Sequence, residues 1–118
     1  MEIVDFGSDR AKPVSRFGSV GFGAAPVVRG DGLGVTAMHL AAGGEIGSHP
    51  AVVDQLLLVV AGRGEVCGAD GVWHAISAGQ GALWAAGEQH TTRADEAMVA
   101  VAVELADLRL SVVGYNGS

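Results

Sequence analysis

The sequence predicts a single all-β domain whose short antiparallel strands close into a small barrel or a two-sheet jelly roll. Apolar segments of strand length alternate with turn-forming residues throughout the chain, and no segment keeps the apolar period of an amphipathic helix beyond a turn or two. Parallel βαβ units are excluded because they need crossover helices. A chain of 118 residues has room for one core, so residues 1–118 are predicted to form one domain.

Each predicted strand lies between turn-forming residues, many of which are among the chain's 19 glycines. Because such turns recur at short spacing, antiparallel hairpins are favoured. The turns are predicted at 30–32, 43–44, 62–64, 70–71 and 79–81, and the strands at 3–6, 19–22, 34–41, 55–60, 64–67, 72–76, 82–84, 91–93 and 98–105.

The strand predicted at 55–60 has the sequence QLLLVV, which is apolar on both faces. A strand of this kind needs a covering layer on each side. The outer layer is predicted to be either a second copy of the chain, in a homodimer, or the N-terminal segment folded across the sheet. The segment 107–118 is also apolar until Asn116, and we expect it to dock on the barrel or on a neighbouring subunit.

Composition excludes two classes of partner. Thirteen acidic and seven basic side chains give a formal net charge of -6. Nucleic-acid binding is excluded because no stripe of Lys and Arg follows Arg16; Arg10, Lys12 and Arg16 are predicted to form a solvated N-terminal arm. No membrane partner is predicted either, because no apolar run approaches the ~20 residues that a spanning helix needs.

The single cysteine, Cys67, cannot form an internal disulfide, and residues 1–6 carry two acids instead of a signal-peptide core. Both observations favour a cytoplasmic location. Cys67 is a poor candidate nucleophile because it lies in a predicted strand without a catalytic motif around it.

Two histidines and a glutamine form the candidate site. Positions 49, 51, 53 and 55 share a parity, so one extended strand through them would project His49 and Gln55 to the same side. His90 follows a turn at 87–89 that could deliver its ring from an adjacent strand. Three polar side chains converging above apolar residues predict a ligand pocket. The alternative is that both histidines only bond to the backbone or to Gln55.

Two further residues are candidate ligand contacts. Trp84 could line the pocket and stack on a ligand, or it could pack in the core. His39 could point inward from the preceding strand, or it could be satisfied within the sheet. Glu88 could orient a ring or act as a base, or it could be an ordinary turn carboxylate. His74 is predicted to lie at the surface.

These residues resemble the two motifs of the cupin superfamily, and the matched stretch covers about residues 35–105. The first motif is a glycine, five residues, His-x-His, three or four residues, a glutamate, six residues and a glycine. The second is a glycine, five residues, a proline, one residue, a glycine, two residues and a histidine. The chain offers Gly43, His49, Ala51, Gln55 and Gly62 for the first motif and Gly79, Ala85, Gly87 and His90 for the second.

The resemblance implies a cupin jelly-roll barrel, or double-stranded β-helix, in which three histidines and a glutamate hold a divalent metal. By position His49 and His90 match metal ligands, Gln55 replaces the glutamate and Ala51 replaces a histidine. A neutral amide is a weaker donor than a carboxylate and leaves the metal's charge uncompensated. We therefore expect a divalent transition metal (Zn, Fe, Ni, Cu or Mn) to be loosely bound or absent.

Three functions are consistent with these observations. The first is a small cupin that binds a polar or anionic metabolite in its barrel, with or without metal. The second is a metal-dependent enzyme of the dioxygenase type, with His49, Gln55 and His90 as ligands. The third is a non-catalytic structural or regulatory dimer with a filled barrel. The sequence assigns no catalytic residue, so it leaves open whether the protein is an enzyme.

Overall fold

The computed structural model describes residues 1–111, so most of the apolar C-terminal segment predicted to dock lies outside the described residues. The described chain contains nine strands and two 3-10 helices, Ser8–Arg10 and Arg16–Gly18. The strands are β1 (Lys12–Pro13), β2 (Val20–Gly30), β3 (Leu33–Pro50), β4 (Gln55–Ala61), β5 (Arg63–Cys67), β6 (Trp73–Ser77), β7 (Gly81–Trp84), β8 (Gln89–Ala94) and β9 (Met98–Leu105).

The strands form a nearly closed antiparallel barrel. Its order is β6-β5-β8-β3-β9-β4-β7, and β2 pairs with β3 and carries the short β1. This architecture confirms the all-β jelly roll predicted from the sequence. Within residues 1–111, no helix is long and apolar enough to cross a membrane.

The N-terminal strand predicted at 3–6 is wrong. Those residues are irregular, Ile3 is 87% exposed, and the carbonyl of Phe6 accepts a hydrogen bond from His39 Nε2 at 2.8 Å. The first strand is instead β1, which pairs with Gly23 and Ala24 of β2. An apolar run therefore does not become a strand when no sheet edge offers it a partner.

The turn predicted at 43–44 is also wrong, because β3 continues through it to Pro50. The first half of β3 pairs with β2 and β9, whereas its second half pairs with β8. Gly43 has a φ of +79°, and a Cβ at Gly44 would meet the carbonyl oxygen of Gly21. The two glycines thus bend one long strand across the barrel without ending it.

The core is formed by the inward-facing residues of the strands. On β4 the buried side chains of Leu57 and Val59 alternate with the outward-facing Leu56, Leu58 and Val60. On β9 the buried side chains are Met98, Ala100 and Ala102, which alternate with outward-facing residues. The small alanines contribute little side-chain volume to the interior. Apolar outer and inner faces therefore coexist on β4, as its sequence predicts.

The structure places the N-terminal segment on β2 and β3 and not on the outer face of β4. β1 pairs with β2, and helix Arg16–Gly18 contacts β3. Leu58 and Val60 accordingly stay 40% and 56% exposed. For residues 1–111, this placement contradicts the prediction that the N-terminal segment covers β4.

We expect Gly62→Ala to destabilise the protein far more than Gly79→Ala. Both glycines have positive φ, +78° and +91°, but only at Gly62 would a Cβ overlap a backbone atom, the carbonyl oxygen of Ala97. The matched Gly79→Ala change should cost about 1–2 kcal/mol of unfolding free energy from backbone strain alone. Gly62→Ala should exceed it by more than ~2 kcal/mol, as measured by urea denaturation. Equal losses would contradict this packing at the β4–β5 turn.

Candidate functional site

A cavity of about 140 Å³ lies inside the barrel, next to the 3-10 helix Arg16–Gly18. A cavity of roughly 150 Å³ accepts a molecule as large as benzene, so this one suits a small ligand. Seven polar or charged side chains line it together with six apolar ones. The lining residues are Val14, Arg16, Phe17, Ser19, Phe22, Met38, Ile46, His49, Gln55, Leu57, His90, Thr92 and Glu104.

His49 faces the cavity because β3 contains a β-bulge. Ile46 pairs with Thr92 and His49 pairs with His90, so β3 has one more residue between these pairs than β8 has. In a regular strand Ile46 and His49 would face opposite sides. The extra residue shifts the alternation by one and turns both side chains inward, which is a common role of bulges near binding sites.

The single extended strand assumed from His49 to Gln55 is therefore wrong. β3 ends at Pro50, residues 51–54 form a bend, and β4 begins at Gln55. His49 comes from β3, His90 from the neighbouring β8, and Gln55 from β4 between β7 and β9. The structure still brings all three side chains to one cavity, by a different backbone route.

His90 has one ring nitrogen held by the backbone and one left without a partner. Its Nδ1 donates a hydrogen bond to the carbonyl of Glu88 at 3.1 Å. Its Nε2 is buried and has no hydrogen-bond partner among residues 1–111. Because Nδ1 carries the proton, Nε2 of the neutral ring presents a lone pair, and His90 is a hydrogen-bond acceptor in the cavity wall.

His49 is held in the same way. Its Nδ1 donates to the carbonyl of Gly47 at 2.7 Å, which leaves Nε2 as the nitrogen available to a ligand. The ring stacks on Phe17 with centroids 4.6 Å apart, and it lies 4.3 Å from the ring of His90. Trp84 packs behind His90 at 4.6 Å, so four rings form a continuous column from the surface into the core.

Glu88 positions His90 through its backbone and fixes the preceding turn through its side chain. The Glu88 carboxylate accepts hydrogen bonds from the amides of Ala85 and Ala69, both at 3.0 Å. Its carbonyl also accepts the amide of Ala51. The predicted orienting role thus belongs to the carbonyl oxygen of Glu88, while its carboxylate organises the loop.

Ala51 stands where the motif has a histidine, and it contributes only backbone hydrogen bonds. Its amide donates to Glu88 and its carbonyl accepts the amide of Gly87 at 2.7 Å. Asp54, in the same bend, accepts the amides of Ala86 and Leu108. Residues 51–54, which connect His49 to Gln55, are therefore hydrogen-bonded both to the turn before His90 and to the chain that follows β9.

His39 and Trp84, the two other predicted contacts, do not line this cavity. His39 lies on the opposite face of β3 from Met38 and bonds to Phe6. Trp84 is buried in the core, where it supports the ring of His90. His74 is exposed, as predicted for the surface.

Sequence analysis missed four polar residues of the cavity. Thr92 lies two residues after His90 on β8, and Glu104 lies six residues after Met98 on β9, so each faces the same side of its strand as that inward-facing residue. The alternation of side chains along a strand could therefore have identified both. Arg16 and Ser19 carry no such signal, because they reach the cavity from the 3-10 helix Arg16–Gly18 and the residue after it, where no strand alternation applies. The predicted solvated arm is corrected accordingly: Arg16 is exposed, but it lines the cavity and its guanidinium lies 4.8 Å from the ring centre of Phe17.

The donor set fits a divalent metal poorly. Two imidazoles present Nε2, and their Nδ1 anchoring resembles the outer shell of metal-bound histidines. Among residues 1–111, however, no group of three or more His, Cys, Asp or Glu side chains is placed to hold a metal ion. Gln55 would be the third donor, and it would add no negative charge to balance the ion. The Glu104 carboxylate also lines the cavity, but it does not form a metal-binding group with the two histidines.

Comparisons with known proteins identify the fold and a sequence family. A family model described as a cupin domain matches residues 36–105. A conserved protein of unknown function from Streptococcus pyogenes is 26% identical over 75% of this chain and 76% of that chain, with a TM-score of 0.66. No curated protein matches the sequence.

More distant solved structures share the fold. A predicted oxalate decarboxylase from Thermotoga maritima is 18% identical over 87% of this chain and 99% of that chain, with a TM-score of 0.74. KdgF from Halomonas sp. is 21% identical over 74% and 82% of the two chains, with a TM-score of 0.63. At these identities the likeness concerns the fold alone.

The free energy of unfolding should decrease as the pH falls below about 6.5, the usual pKa of histidine. Burial lowers the pKa of His90, and the nearby His49 lowers it further, while the bond to the Glu88 carbonyl opposes the shift. The unfolded chain therefore takes up a proton at a higher pH than the folded chain does, so stability is lost from pH 6.5 down through the folded pKa.

Urea denaturation across this pH range measures the effect, with His90→Phe and, as a matched control, the exposed His74→Phe. The His90 variant should have a shallower pH dependence than wild type, whereas the His74 variant should retain the wild-type slope. An unchanged slope in His90→Phe would show that His90 does not titrate differently in the two states.

Proposed function

The chain belongs to the cupin domain family, and on that premise we propose that it binds a small hydroxylated molecule in the barrel cavity. The observation that supports this proposal is the buried Nε2 of His90, which lacks a partner among residues 1–111. An unsatisfied buried acceptor costs about 1–3 kcal/mol. A ligand hydroxyl would donate to this nitrogen and recover that free energy.

The rest of the cavity also favours a ligand rich in hydrogen-bond donors. His49 offers a second imidazole nitrogen, Gln55 an amide oxygen, Thr92 a hydroxyl and Glu104 a carboxylate. The exposed Arg16 at the edge is the cation available to a carboxylate on the ligand. We therefore place small polyols and small hydroxy acids first among the ligand classes.

A metal-dependent dioxygenase function has weaker support, because two imidazoles and an amide add no negative charge to balance a divalent cation, and the Glu104 carboxylate does not form a metal-binding group with the two histidines. The expectation of a loosely bound or absent transition metal stays a prediction. Elemental analysis of natively purified, untagged protein checks it, with His49→Ala as the variant that would lose any stoichiometric metal.

His90→Phe should weaken ligand-dependent stabilisation and leave the fold intact. The substitution keeps a ring against Trp84 but removes the acceptor nitrogen. We expect the dissociation constant for a hydroxylated ligand to rise about tenfold or more, since one buried hydrogen bond is lost.

The measurement begins with thermal shift on small polyols and hydroxy acids, such as glycerol, glycerate and tartrate, followed by calorimetry on each hit. His74→Phe is the control and should bind like wild type. Absence of any hit with metal-free wild-type protein would count against the proposal. A hit that His90→Phe binds equally well would remove His90 from the site.

We also propose that the outer face of β4 pairs with a second copy of the chain. Leu58 and Val60 are exposed there, and Leu83 of β7 and Val101 of β9 extend the same apolar surface. An uncovered apolar patch of this kind is typical of an interface.

The half-buried Cys67, free of any disulfide, is consistent with the proposed cytoplasmic location.

Leu58→Lys should shift the protein from dimer to monomer in sedimentation velocity, because the lysine would bury a charge in the interface. Val52→Lys changes a side chain that is 89% exposed in the bend before β4, and it should leave the dimer unchanged. A monomeric wild-type protein, or a Leu58→Lys variant that stays dimeric, would overturn the proposed interface.

A further inference from the structure

We propose that residues 14–19 form a strap that opens and closes the cavity, with Phe17 as its gate residue. The inference rests on the proposed function, since it concerns how a ligand reaches His90. It differs from that proposal in assigning a role to a segment that precedes the region matched by the family, residues 36–105.

The cavity wall is least buried at the strap. Of all the residues that line the cavity, only Arg16 and Phe17 are exposed, and the others are half-buried or buried. Phe17 is 50% exposed on one side while its ring stacks on His49 on the other. A ligand approaching His90 from solvent therefore meets Phe17 first.

The strap lies between two fixed points. Before it, β1 is paired with Gly23 and Ala24 of β2; after it, Val20 pairs with Glu45 of β3. Val14 adds a hydrogen bond from its amide to the carbonyl of Phe22 at 3.0 Å. The ends are thus anchored in the sheet, and the residues between them form a short excursion over the cavity.

The closed strap is held by a small number of contacts. Helix Arg16–Gly18 contains no buried residue, and Phe17 has a φ of +59°. This left-handed conformation is unfavourable for a bulky side chain, so the closed state carries backbone strain. Stacking on His49 and the bond from the Gly47 amide to Ser19 Oγ at 3.0 Å oppose that strain.

Gly47 of β3 is the residue against which the closed strap packs. The bulge in β3 frees the Gly47 amide from the strand ladder, and that amide donates to Ser19. A Cβ at position 47 would overlap the carbonyl oxygen of Phe17, a backbone atom that cannot move without moving the strap. A residue larger than glycine at 47 would therefore hold the strap open.

The strap can be tested without a ligand by chemical modification of histidine. Diethyl pyrocarbonate acylates neutral imidazole nitrogens, so the reaction is run above the pKa of free histidine, and modification of each residue is followed by peptide mass spectrometry. His90 is the reporter because its Nε2 is buried, and the exposed His74 is the internal standard.

In wild type, His90 should react much more slowly than His74. In Gly47→Ala the His90 rate should approach that of His74, because the closed strap no longer fits. Ser19→Ala, a milder change in case Gly47→Ala fails to fold, should raise the rate about fivefold, as expected for the loss of one net hydrogen bond. Gly30→Ala, where a Cβ would meet open space, should leave the rate unchanged.

Equal His90 rates in wild type and in a folded Gly47→Ala or Ser19→Ala variant would overturn the gate. Thermal unfolding of each variant shows whether it is folded at the reaction temperature. Because the readout uses only the reagent, a failed strap is distinguishable from a failed ligand panel: the first leaves His90 reactivity unchanged, and the second leaves wild-type stability unchanged by any polyol or hydroxy acid.

Discussion

The site depends on one extra residue in β3. The bulge between Ile46 and His49 lets both side chains face the interior, and without it the ring of His49 would point away from His90. The same irregularity leaves the Gly47 amide free to bond Ser19, which brings the N-terminal chain over the barrel. A single break in the strand ladder therefore orients one histidine and provides the attachment point for the cavity's outer wall.

The chemistry of the cavity follows from the backbone bonds of its two histidines. Gly47 and Glu88 supply carbonyl acceptors that fix each ring with the proton on Nδ1. Metal-binding cupins place such rings around a cation, but here a third imidazole is replaced by Ala51, which contributes only backbone bonds to the neighbouring turn. What remains is a pair of imidazole Nε2 atoms beside Gln55, Thr92 and Glu104 in a small cavity, an environment suited to donor groups of an organic molecule.

The sequence predicted the fold and the convergence of His49, Gln55 and His90 on one cavity, but the reason for that convergence differs in part from the one that the structure shows. Alternating apolar residues and regular turns are local signals, and they located the strands from β4 to β9 well. The sequence predicts that His49 and Gln55 converge because one extended strand carries both. In the structure a bulge in β3 and a bend at 51–54 bring them together. The alternation of side chains along a strand reveals neither irregularity.

The N-terminal chain was the least predictable part, because its position depends on tertiary contacts. Nothing local to Phe17 indicates that it stacks on a histidine far along the chain, or that a glycine in β3 accommodates its carbonyl. By contrast Glu104 follows the inward alternation of β9, and its position in the cavity was available from the sequence pattern.

The long path of β3 has a consequence for how the chain reaches this structure. Leu33 near its start pairs with Leu105 near the end of β9, and its far end pairs with β8. To form contacts between such distant segments, the chain must first close a large loop. The entropy lost in closing that loop is compensated only after the contacts have formed, and this slows folding. Folding is therefore expected to take milliseconds to seconds, the range of sandwich and barrel proteins, and the transition state should require β3 to have found partners from both halves of the polypeptide.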